Sequence, residues 1–117
     1  RTACYGPCPQ YIITIYNDGL IQYEGNLFVD KKGCFYSKIS KKQIDNVISK
    51  FNDYDFFSFE NEYDALMTDV PSVILEVNFG SQNHQVIDRF NGPNDLKKLQ
   101  NSIDFISNSV KKWNHCK

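Results

Sequence analysis

Histidine is nearly missing from this chain. His84 and His115 are the only two in 117 residues. Neither stands at a spacing that names a general base or a metal ligand, so both read as solvated side chains. No G-x-S-x-G elbow, phosphate-cradling glycine loop or dinucleotide fingerprint occurs. An enzyme is therefore not expected, and neither is a cofactor. No uninterrupted apolar run approaches the roughly 18 residues that a membrane-crossing helix needs. Lysine and arginine are absent between Phe51 and Asp88, a stretch that holds eight acids: Asp53, Asp55, Glu60, Glu62, Asp64, Asp69, Glu76 and Asp88. A net charge of −1 gives nothing that would steer the molecule to nucleic acid. The acidic middle reads as a solvated loop face. Its carboxylates at 53–55 and 60–64 lack the calcium-loop pattern, so no metal site is expected.

What the chain does hold is apolar mass, at 41% hydrophobic and 15% aromatic residues. That is enough for one folded domain over residues 1–117, and too little length for two. The run Tyr11-Ile12-Ile13-Thr14-Ile15-Tyr16, the break Asn17-Asp18-Gly19 and the resumption Leu20 to Gly25 predict a hairpin. A two-residue loop would set Ile15 opposite Gln22. A three-residue loop with left-handed Gly19 pairs Ile15 with Ile21 and Ile13 with Tyr23, leaving one apolar face, and this register is expected. A third strand follows near 26–29 or 34–39, the two stretches being separated by the polar turn at 30–33.

Ser40 and Gln43 form a capping-box pattern ahead of a helix whose Ile44, Val47, Ile48 and Phe51 share a stripe, with an end near Asn52 or Asp53. The segment 54–67 has neither period and reads as irregular. Pro71 opens a second hairpin, with Val73, Leu75, Val77 and Phe79 on one face, a turn over 80–83 and a return strand over 84–90. Pro93 and Asp95 suit the start of a closing helix whose stripe is Leu96, Leu99, Ile103, Ile106, Val110 and Trp113. The expected fold is α+β: one antiparallel sheet of four to six strands with two helices on one face, an approximate ββα duplication. The other face, with Ile12, Thr14, Tyr16, Leu20, Ile74 and Glu76, is left partly open as a surface for a protein partner.

Four cysteines, Cys4, Cys8, Cys34 and Cys116, allow three disulfide pairings. Fully extended, Cys4 and Cys8 stand roughly 13 Å apart, and a disulfide needs Cα atoms within about 7 Å. Gly6-Pro7 permits that bend. The short bridge stabilises by roughly 2 kcal/mol in the chain-entropy model, and a Cys34–Cys116 bridge by about 4.5 kcal/mol. Redox chemistry is disfavoured because the spacing is C-x₃-C, the next element is a strand, and the nearest cation is Arg1. Zinc would need two further ligands, so structural disulfides are the leading reading and free buried thiols the next. An even cysteine number in a small domain points to an oxidising, exported setting in the periplasm, cell envelope or extracellular space. The chain opens on Arg1, which reads as a processed chain with any export signal or lipid-bearing cysteine upstream.

The pattern R-x-x-C-Y-G-P-C-P-x-Y-x-x-x-I, then D-G-x-I-x-Y-E-G, then Asp69-x-Pro71 before a strand resembles an uncharacterised bacterial family, domain of unknown function family 6438. The family-like positions are Arg1, Cys4, Gly6, Cys8, Pro9, Tyr11, Gly19, Tyr23, Gly25, Asp69 and Pro71. The resemblance implies a single domain, often in exported or lipid-anchored envelope proteins, with no activity to transfer. Cys34 and Cys116 fall outside that pattern, which counts against a bridge between them. The leading functional expectation is a non-enzymatic envelope binding or structural module. A thiol- or metal-dependent protein using Cys4 and Cys8, and an inhibitor-like module acting on a partner, are the alternatives.

Overall fold

Hairpin chemistry sets the first half of the molecule. A computed structural model describes residues 2–3, 10–27, 29–63, 72–79, 82–89 and 92–116. Strands β2 (Gln10–Ile15) and β3 (Leu20–Leu27) pair antiparallel with Ile15 opposite Ile21 and Ile13 opposite Tyr23. Gly19 sits at φ +97°, where its lack of a Cβ admits the left-handed turn, and its amide donates to the Tyr16 carbonyl at 3.1 Å. The three-residue loop and its register are thus the ones the apolar alternation demands. Strand β4 (Gly33–Lys38) continues the ladder, with Phe35 opposite Tyr23. Helix α1 (Lys41–Asp53) begins on the full capping box: the Ser40 hydroxyl accepts the Gln43 amide, and the Gln43 side chain accepts the Ser40 amide.

The second half holds the main core. After α1 a single 3₁₀ turn (Phe56–Ser58) gives order to part of the segment that lacks a clean period. The short strand β5 (Glu62–Tyr63) then runs parallel to β7 (Gln82–Asp88), which pairs antiparallel with β6 (Ser72–Phe79). Gln82 and Asn83, expected in the turn, belong to β7, so the loop is two residues shorter. Helix α2 (Asn94–Ser109) lays Leu96 and Leu99, both with no exposed surface, against Val86 and Phe56. Phe51, Tyr54, Phe59, Tyr63, Leu75 and Val77 close around them. Each such aliphatic or aromatic side chain stabilises by roughly 1.5–3 kcal/mol when fully buried.

The α+β class holds, but the strands form two sheets and not one. Among the described residues eight strands divide into β1-β6-β7-β5 and β2-β3-β4-β8, where β1 is Thr2–Ala3 and β8 is Asn114–His115. The cause is β1. It occupies the edge of β6, with Thr2 opposite Val73, and also touches β2, so the ladders abut there without joining. The helices pack against each other, and α2 serves both sheets: Leu96 and Leu99 pack in the core beside Val86, and Asp104 accepts a hydrogen bond from Tyr11 of β2.

The closing helix is also shorter than its stripe. It stops at Ser109, and Val110 is extended, so Val110 and Trp113 lie beyond it. Ser109 donates its hydroxyl back to the Ile106 carbonyl at 2.7 Å, the local competition that weakens a helix end. The chain then turns to pair β8 with β4, which brings Cys116 to Cys34. Tertiary pairing outweighs the last helical turn. Arg1, Cys4, Gly6, Cys8, Pro9, Asp69 and Pro71 lie outside the described residues.

Candidate functional site

Alternation along β2, β3 and β4 puts Tyr11, Tyr23 and Phe35 on the same face of their sheet. Tyr11 and Tyr23 stack at 6.0 Å between ring centroids, and Phe35 meets Tyr23 at 6.3 Å. Strand β8 and the residue before it add the rest, with Trp113 tilted against Tyr23 at 5.9 Å and the His115 ring against Phe35 at 4.6 Å. Tyr23 and Phe35 are buried while Trp113 is half-exposed, so the cluster runs from the interior to the surface. Separations of this order suit offset or tilted aromatic packing.

Into this cluster the turn between β3 and β4 inserts a cation. The Lys31 ammonium lies 4.1 Å from the Trp113 ring centroid, 4.7 Å from Tyr23 and 5.4 Å from Phe35. Among the described residues no carboxylate or other hydrogen-bond acceptor pairs with it. Three ring faces are its partners. Burial lowers the Lys31 pKa, since desolvation costs the charged form. The Tyr23 hydroxyl donates to the Lys31 carbonyl at 3.1 Å, fixing the turn. Gly25 makes this approach possible, because a Cβ there would overlap the Lys31 carbonyl oxygen and sit 2.8 Å from the Tyr23 hydroxyl.

Electrostatics favour neutral phenols here. Burial raises the Tyr23 pKa, and the charge of Asp30 adds to it. Burial likewise pushes Tyr11 well above the usual tyrosine range, followed by the hydrogen bond it donates to Asp104 at 2.8 Å.

Cys34 and Cys116 are disulfide-bonded, with Cα atoms 5.3 Å apart across a sequence separation of 82. The pairing that the family pattern counted against is therefore formed. The Cys116 amide donates to the Cys34 carbonyl at 3.0 Å, and the Ser37 hydroxyl to the Lys112 carbonyl at 2.8 Å. Trp113 is pinned from both sides. Gln22 directs its side-chain amide at both sulfurs, 3.5 Å from Cys34 and 3.9 Å from Cys116.

Of the family-like positions, Tyr11, Tyr23 and Gly25 meet in this cluster, while Gly19 shapes the hairpin turn at the other end of β3. The cysteine question at Cys4 and Cys8 falls outside the described residues. Among the described residues no three His, Cys, Asp or Glu side chains gather to hold a metal. His84 is not solvated: it is half-buried, its ring nitrogen lies 2.8 Å from the Phe59 carbonyl, and it meets the Phe56 ring edge-on. Lys31, Phe35 and Trp113 are the site residues that sequence reading misses. Register arithmetic from the first hairpin could have placed Phe35, but Lys31 sits in an ordinary polar turn and Trp113 continues the stripe of α2.

The fold and cluster define a small α+β domain with an aromatic cluster covered by its own lysine. The chain belongs to the family described as Domain of unknown function (DUF6438), whose match spans residues 1–107. Trp113, His115 and Cys116 lie beyond the matched stretch. No curated protein and no solved structure matches the chain.

Proposed function

We propose that this chain is a non-enzymatic binding module of an exported, oxidising compartment such as the periplasm or cell envelope, and that it binds through the recess of Tyr23, Phe35 and Trp113. The observation that carries the reading is the Lys31 ammonium among three rings with no acidic partner among the described residues. Ring faces engaged with a movable side chain can serve as a recognition surface, because exchange of that side chain for a ligand requires no refolding. The Cys34–Cys116 bridge supports the compartment, since such bonds persist where thiols are oxidised.

The test is a thermal-shift panel of sugars, short peptides, organic anions and organic cations against the oxidised chain and its Trp113→Leu variant. A compound that raises the melting temperature of the first and not the second supports the reading. A panel with no such compound removes it.

A second reading is favoured by the other face of the same sheet, where Ile12, Thr14 and Leu20 are half-exposed and Tyr36 is exposed. A protein partner, including an enzyme that the module inhibits, would dock there. Tyr36→Glu would then abolish capture of the partner from envelope extract while leaving the Trp113-dependent shifts intact.

A further inference from the structure

The recess has a chemistry more specific than apolar. Three ring faces present partial negative charge to a cation, an attraction that strengthens as the cation is desolvated. The resident cation is held, among the described residues, by ring faces alone. A lysine ammonium carries three N–H donors and is strongly hydrated, yet among the described residues Lys31 has no hydrogen-bond acceptor. A cation without N–H donors loses nothing in the same place. We propose that the Tyr23–Phe35–Trp113 recess receives a quaternary ammonium group, and that the Lys31 side chain is a tethered stand-in that leaves when the ligand enters. This rests on the binding reading above and names its ligand class.

The exchange is mechanically small. The Lys31 backbone is held by the hydrogen bond its carbonyl accepts from Tyr23, so the four-carbon side chain swings out alone while the turn stays in place. Being covalently attached, the ammonium competes at an effective concentration of order millimolar. It thus acts as a built-in competitor, and removing it should strengthen binding. The disulfide keeps Trp113 in place as one wall of the recess with or without ligand.

Trp113 is the only tryptophan, so its emission reports the recess without labelling. The oxidised chain, Lys31→Ala and Lys31→Gln are titrated with tetramethylammonium chloride and with choline chloride, against potassium chloride at equal ionic strength. The expected result is a saturable change with both quaternary salts and none with potassium, with half-saturation at least roughly tenfold lower in the two variants than in the parent. Two variants guard against one that misfolds. Independently, the Lys31 ε-methylene protons of the parent should be ring-current shifted upfield and return toward ordinary values as choline saturates.

Co-sedimentation with phosphatidylcholine vesicles, and not with phosphatidylglycerol vesicles, would identify a lipid headgroup as the source. Binding of free choline alone would identify a soluble one. Unshifted Lys31 protons, or equal responses to choline and potassium in both variants, would overturn the proposal. A Trp113-dependent shift by a neutral ligand only would also overturn it, while leaving the binding reading standing.

Discussion

Two regions of this molecule solve the same problem by different means. Around β6, β7 and α2 the chain buries aliphatic and aromatic side chains outright, with Phe56, Val86, Leu96 and Leu99 at 0–1% exposure. Even its buried carboxylate is satisfied from within: Asp88 accepts from Gln100 at 2.9 Å and faces Lys97 at 3.4 Å. Around β3, β4 and β8 the cluster runs from buried Tyr23 and Phe35 out to half-exposed Trp113 and exposed His115, and its outer part is positioned by tethers: the disulfide, the Ser37–Lys112 hydrogen bond and the cation lying among the rings, with the Tyr11–Asp104 hydrogen bond on the β2 side. A domain this small can keep aromatic surface near solvent only if something other than burial holds it. The first region supplies stability, and the second uses covalent bracing to present a recess.

Cutting the brace is the strongest way to break that contrast. Cys34→Ser/Cys116→Ser should lower stability by about 4.5 kcal/mol in the chain-entropy model and shift Trp113 emission to the red as β8 leaves β4. Amide exchange in β6 and β7 should stay slower than in β4 and β8. Native Trp113 emission in the variant would mean that the rings hold themselves and the two regions do not differ. Leu99→Ala comes next, at roughly 2–5 kcal/mol of lost stability by chemical denaturation. Here the order inverts: Trp113 should report a native recess until the whole domain unfolds. Asp88→Ala should cost about 1–3 kcal/mol, because Gln100 loses its acceptor in a buried setting. Gly92→Ala tests the same site, since the new Cβ would stand 2.6 Å from the Asp88 carboxylate.

Legibility in the sequence follows the same divide. The hairpin register, the capping box and the Leu96–Leu99 core could be read because alternation, i to i+3 spacing and Ser-x-x-Gln act within a few residues. The partition into two sheets could not, because it depends on which distant strands pair, and the edge strand Thr2–Ala3 is too short to show any period. The recess was hidden for a related reason. Lys31 and Trp113 are 82 positions apart, and Trp113 falls where a helical stripe continues in pattern after the helix itself has stopped. Tyr11 and Tyr23 stood out through the family-like pattern, but which face they share and what lies against it are matters of pairing.

The smallest effect discriminates most finely between the ring cluster and the core, because it is confined to titratable groups of the cluster. Tyr11 has a raised pKa in the fold, through burial first and then its hydrogen bond to Asp104. A raised value contributes stability that is present below the ordinary tyrosine pKa of about 10 and is lost as pH rises from there through the folded value. Tyr23 acts with the same sign. Lys31 acts with the opposite one: burial lowers its pKa, so the unfolded chain binds more protons between that lowered value and the ordinary value of about 10.4, and stability rises with pH across this window. Urea unfolding followed between about pH 8 and pH 11 should therefore separate the two contributions. Tyr11→Phe should flatten the alkaline decline, and Lys31→Gln should steepen it by removing the compensating rise. Identical profiles for the parent and Lys31→Gln would mean that the ammonium is solvated in solution, and the cluster would then be an ordinary half-covered aromatic face.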